Sequence, residues 1–98
     1  VARVEIAPEV ASDFDRIFDH LAQYDPHRAA ERIREIVAAF DILETNPLIG
    51  RPAAAGKREL IIGRASRGYV ALYRYADAID TVFILALRSQ REAGYKRG

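Results

Sequence analysis

The sequence predicts an α+β domain of order β-α-α-β-β-β, with a helical hairpin packed on a mainly antiparallel sheet. Three observations predict it. Two apolar runs, residues 68–75 and 80–87, are rich in β-branched and aromatic residues and are joined by the short polar turn Ala76-Asp77-Ala78, the pattern of a β-hairpin. Two earlier segments repeat apolar residues at helical spacing. Ninety-eight residues, half of them hydrophobic and 30% charged, make one globular domain over 1–98, with no room for a second core.

Residues 1–6 alternate apolar and polar side chains and form a short, half-buried strand. Pro8 suits a first helical turn, and Glu9, Asp13 and Asp15 complement its positive end. Val10, Phe14, Ile17, Phe18 and Leu21 then make one apolar stripe. Asp25-Pro26 reads as an N-cap followed by proline at the first helical position. Ile33, Ile36, Val37, Phe40 and Leu43 form the second stripe, which Asn46-Pro47 ends. The tight link at Tyr24-Asp25 makes the two helices an antiparallel hairpin. Residues 46–57 hold two prolines, two glycines and three consecutive alanines, a connection without periodicity. Residues 58–62 are a strand, and residues 63–68 a turn rich in glycine and arginine.

Residues 82–87 are apolar on both faces, which marks a central strand covered on both sides. Two helices cover only one face of a four-stranded sheet. The other face is therefore expected to be a groove for a helix from another chain, unless the loop 46–57 folds over it.

Chemistry is sparse. Without cysteine there is no disulfide, no thiolate nucleophile and no cysteine-based zinc site. No dinucleotide or phosphate loop, zincin helix or nucleophile elbow is present. His20 and His27 stand on different elements with nothing to complete a ligand set, so no metal or cofactor is expected. Asp15 and Asp19 read as a solvated helix face rather than a catalytic pair. No run approaches the roughly 18 apolar residues of a membrane span, and no signal-peptide pattern opens the sequence. The expectation is a cytoplasmic protein with no membrane partner.

A net charge of +1 hides an asymmetry. Residues 1–49 carry five arginines against ten acids, and residues 50–98 carry ten Lys/Arg against four acids. What could act is the arginine set of the second half, Arg58, Arg64, Arg67, Arg74, Arg88, Arg91 and Arg97, with Tyr69, Tyr73, Tyr75 and Tyr95. Arginine holds phosphate and stabilises charge on phosphorus, while tyrosine stacks or carries a proton. The same residues also suit a basic protein-binding face or a merely solvated surface, and residue type alone leaves this open.

Taken together, the helical hairpin, residues 46–52 (Asn-Pro-Leu-Ile-Gly-Arg-Pro), residues 58–63, residues 68–75 and the ending 86–95 resemble the ParE/RelE toxins of bacterial type II toxin–antitoxin modules across essentially the whole chain. The resemblance implies the β-α-α-β-β-β fold, a ParD-like antitoxin in a hetero-oligomer with the toxin, and one of two activities. ParE-like members inhibit DNA gyrase; RelE-like members cleave mRNA on the ribosome. If RelE-like, Arg64, Arg67, Arg91 and Tyr95 match the catalytic positions. The target-binding candidates are Arg88, Arg91, Tyr95, Lys96 and Arg97, and the antitoxin-binding candidates are Arg58, Leu60, Ile62 and Arg74. The long helices, the Asn-Pro-x-x-Gly-Arg loop and the low net charge favour the ParE-like branch. A diverged, non-toxic protein-binding module is the third reading. The tail, residues 88–98, is expected to matter more to toxicity than to folding.

Overall fold

The computed structural model describes residues 1–64 and 67–96. It holds β1 (Arg3–Ile6), α1 (Val10–Ala22), α2 (Pro26–Phe40), a single-turn α3 (Ile42–Thr45), β2 (Arg51–Pro52), β3 (Arg58–Ile62), β4 (Tyr69–Ala76) and β5 (Thr81–Ser89). The five strands form one sheet in the order β1-β5-β4-β3-β2, with β1 parallel to β5 and every other pair antiparallel. The predicted α+β order holds, with two additions: α3 continues the second helix past Phe40, and β2 pairs two residues of the connecting loop with β3.

Local chemistry explains the helix starts. The Asp25 carboxylate accepts from the amides of His27 and Arg28, at 3.1 and 3.3 Å, with Pro26 at the first helical position. These two amides would otherwise lack intrahelical partners. Helix α1 begins at Val10, two residues after Pro8, which lies in the preceding turn.

The core forms where α1 and α2 lie on one face of the sheet. Val10, Ile17, Ile36, Phe40 and Leu43 meet Leu60, Ile62, Tyr73, Val82, Ile84 and Leu87. Phe14 closes edge-on against Phe40, with ring centroids 6.4 Å apart. Strand β5 is central, as expected. Its apolar character on both faces has a specific cause: Tyr73 faces Ile84 while Leu72 faces Ala86, which leaves Leu85 as an extra residue. A bulge of this kind shifts the alternation by one, so Ile84 and Leu87 both reach the core.

The opposite face is covered in part, with Ile61 and Arg74 left exposed on it. Val70 and Ala86 alternate away from the helices yet are buried. Tyr95 and Arg88 lie over this side, so the chain's own tail covers part of it. The loop 46–57 closes the core edge instead, where the Gly50 amide donates to the buried Tyr73 hydroxyl at 2.8 Å. A Cβ on Gly50 would lie 2.6 Å from the Tyr73 ring and 2.8 Å from the Glu59 carbonyl oxygen, so only glycine fits this approach.

Candidate functional site

Helix α1 presents Arg16 and His20 one turn apart, beside the apolar Ile17 and Leu21, and Tyr24 follows in the turn after the helix. The start of α2 adds Arg28 and Arg32. These side chains face the sheet end where β4 begins and β5 leaves, marked by Arg67, Tyr69 and Ser89, and the first turn of the tail, with Arg91, Glu92 and Lys96. Together they line a cavity of about 850 Å³. Its floor is apolar, made by Ile17, Leu21 and Tyr69, and its rim carries six Lys/Arg side chains and one carboxylate.

Arg16 is the hub that holds the cavity walls together. Its guanidinium pairs with Asp13 at 2.8 Å and with Glu92 at 3.0 Å, and donates to the Leu87 carbonyl at 3.1 Å. Asp13 is only 1% exposed, and its other oxygen accepts from the Leu87 amide at 3.0 Å. Partial burial lowers the Arg16 pKa, but the bonds to Asp13 and Glu92 outweigh it and hold the group above its ordinary range. The pair therefore ties α1 to the exit of β5 and to the tail. Arg32 is bound to Glu35. Among the described residues, no carboxylate lies within ion-pair distance of Arg28, Arg67, Arg91 or Lys96.

The tail runs along the sheet end, with Arg91, Glu92 and Lys96 lining the cavity and the Tyr95 side chain directed to the other face of the sheet. The Tyr95 hydroxyl donates to Glu59 at 2.6 Å, and the Arg88 guanidinium lies 5.2 Å from the Tyr95 ring centroid. Burial and then the bond to the Glu59 carboxylate push the Tyr95 phenol well above the usual tyrosine range. Burial raises the Glu59 pKa, but the bonds from Tyr95 and Arg51 outweigh it and hold the carboxyl below its ordinary value.

Of the four positions assigned to an RNA-cleaving site, Arg67 and Arg91 share the cavity. Arg64 is exposed and does not line it, and Tyr95 faces the other side of the sheet. Of the target-binding candidates, Arg91 and Lys96 line the cavity; Arg88 is half-buried, donating to the Ser89 and Glu92 carbonyls; Arg97 lies outside the described residues. The antitoxin-binding candidates lie in different surroundings. Leu60 and Ile62 face the helices and are buried, because β3 turns its alternate residues inward, so its outward apolar residue is Ile61. Arg58 is committed to the Leu48 and Gly50 carbonyls. Arg74 is exposed on the face away from the helices.

Sequence reasoning missed the helical half of the cavity. The signal that could have found it is the four-residue spacing of Arg16, His20 and Tyr24. Tyr24 is exposed and meets His20 edge-on at 5.8 Å. Among the described residues no three metal-ligating side chains converge, and no helix is long and apolar enough to cross a membrane.

The comparisons with known proteins agree with this architecture. No curated protein matches the sequence. A solved chain from the chromosomal ParDE TA system of P. aeruginosa superposes with a TM-score of 0.76 at 25% identity, covering 90% of this chain and 95% of that one. The sequence also matches, over residues 4–94, the family described as ParE toxin of the type II toxin-antitoxin system parDE. With nearly the whole chain inside that match, the protein belongs to the ParE toxin family.

Proposed function

We propose that this toxin inhibits DNA gyrase in the cytoplasm and is held neutral by a ParD-like antitoxin in a hetero-oligomer. One observation carries the choice of gyrase over mRNA. Tyr95, the proton carrier that an RNA-cleaving site would use, is turned away from Arg67 and Arg91 and locked to Glu59. A phenol whose pKa is raised stays protonated near neutral pH and cannot take up a proton, and arginine stays protonated as well. The cavity thus offers cationic binding without the tyrosine that cleavage would need. Purified toxin is expected to block gyrase supercoiling and to accumulate cleaved DNA complexes while leaving ribosome-bound mRNA intact. Codon-phased mRNA cuts with supercoiling untouched would overturn this.

A second reading has its own observation. His20 lines the same cavity as Arg67, Arg91 and Lys96, and histidine is the side chain best suited to carry a proton near neutral pH. On that reading, mRNA cleavage exists and is lost in His20→Ala. On the gyrase reading, His20→Ala leaves no cleavage to lose.

A further inference from the structure

We propose that the sheet face turned away from the helices is a self-association surface, on which a second copy of this chain packs about a twofold axis parallel to β5. The proposal goes beyond the reading above, because it concerns how the toxin pairs with itself, whichever machine it attacks.

One row across the sheet carries the argument. Arg74 on β4 is paired with Phe83 on β5, and Phe83 in turn with Glu5 on β1. All three point away from the helices. Their strand neighbours Val4, Tyr73, Tyr75, Val82 and Ile84 belong to the core or pack against it, and successive side chains of a strand alternate between faces. Phe83 is half-buried, with Arg74 and Glu5 exposed on either side of it. The tail reaches this face at Glu59 and Arg88, on the rows of Leu72 and Val70; the Phe83 row lies further along the strands.

The row is self-complementary. Neighbouring strands are spaced so that Arg74 and Glu5 stand about 5 Å to either side of Phe83. A twofold axis along β5 at Phe83 exchanges the two sides. Arg74 of each copy then meets Glu5 of the other, and the two Phe83 rings meet at the axis. An axis across the strands would set Arg74 against Arg74 and Glu5 against Glu5, which like-charge repulsion disfavours. The first arrangement also keeps the two sets of strands aligned, as in sheets stacked about 10 Å apart. A foreign chain would have to match this spacing of opposite charges about a ring; a second copy does so by symmetry.

Both charges are available. Among the described residues no carboxylate lies within ion-pair distance of Arg74. Glu5 is bound to Arg3 through Oε1 in an exposed pair, which contributes little, and its Oε2 remains for the incoming guanidinium. The helices and the cavity lie on the opposite side, so both cavities of the pair face outward.

The test is sedimentation velocity on the full chain across a concentration series. Wild type is expected to move from monomer towards twice that mass as concentration rises. R74E alone and E5R alone set like charges opposite each other, and each should weaken association by about tenfold or more. An equimolar mixture of the two should associate again, because each copy supplies the charge that the other lacks. The double variant E5R/R74E should associate as wild type does. R34E, exposed on α2, should change nothing. Melting curves establish that each single variant is folded before mixing. A wild type that stays monomeric, or a dimer that survives both R74E and E5R, rules the proposal out and leaves the face to a foreign chain. A mixture of folded R74E and E5R that associates no better than either alone rules it out as well.

Discussion

Asp13 and Arg16 do at the residue scale what no apolar contact does: they fix the angle at which α1 meets the end of β5. Asp13 satisfies the Leu87 amide and its partner Arg16 satisfies the Leu87 carbonyl, so both backbone groups of one strand residue are held by one helix turn. Asp13→Ala leaves a buried amide unpaired and Arg16 short of an anion, at a cost of about 2–3 kcal/mol. Asp13→Asn should cost less, because its side-chain oxygen still accepts from Leu87. Urea titration checks both, and the reverse order of stability would show that packing rather than hydrogen bonding dominates there. Gly50→Ala is also expected to destabilise, since its methyl would overlap Tyr73 and the Glu59 carbonyl. The loop must then move away from the buried phenol, with a loss of roughly 1–3 kcal/mol.

The tail, expected to matter more to toxicity than to folding, also makes contacts with the domain. It carries no apolar stripe, yet it is anchored at three points: Glu92 on Arg16, Tyr95 on Glu59, and Arg88 over the Tyr95 ring. Residues 88 and 89 also continue β5 and pair with Val70 and Tyr69. Truncation after Leu87 therefore removes sheet pairing as well as the anchors, and the domain should melt lower rather than stay unchanged. Tyr95→Phe isolates one anchor: losing a hydrogen bond to a carboxylate should cost about 1.5 kcal/mol, several degrees of melting temperature for a domain this small. An unchanged melting temperature in both variants would show that the tail is held only loosely.

Charge is organised across the whole molecule, and its pH dependence follows from Glu59. Its folded pKa lies below the ordinary value because Tyr95 and Arg51 outweigh its burial. Such a group adds stability that is fully present above its unfolded pKa, about 4.3, and lost as pH falls through the lower folded value. Glu59→Gln should therefore be less stable than wild type at neutral pH and lose less on acidification. Stability curves running parallel from neutral pH down to about pH 3 would contradict this. The charge asymmetry between chain halves does not survive folding as a simple basic half: three of the six cations at the cavity, Arg16, Arg28 and Arg32, come from the acid-rich half.

Periodicity and punctuation were enough to determine the α+β order, the Asp25-Pro26 helix start, the central position of β5 and the likeness to ParE/RelE toxins, because these depend on spacing along the chain. Tertiary structure alone decided which face of each strand is covered. The extra residue at Leu85 reverses the alternation, and a bulge has no signature in an unbroken apolar run. It also decided that Tyr95 packs away from Arg91, although only four residues separate them, because the Tyr95 side chain is drawn to Glu59 on the other face while Arg91 and Lys96 line the cavity. The cavity belongs to neither half of the sequence. Arg28 and Arg91 meet there because the helical hairpin and the end of β5 are brought together by burial of the core between them, and that proximity exists only once the chain is folded.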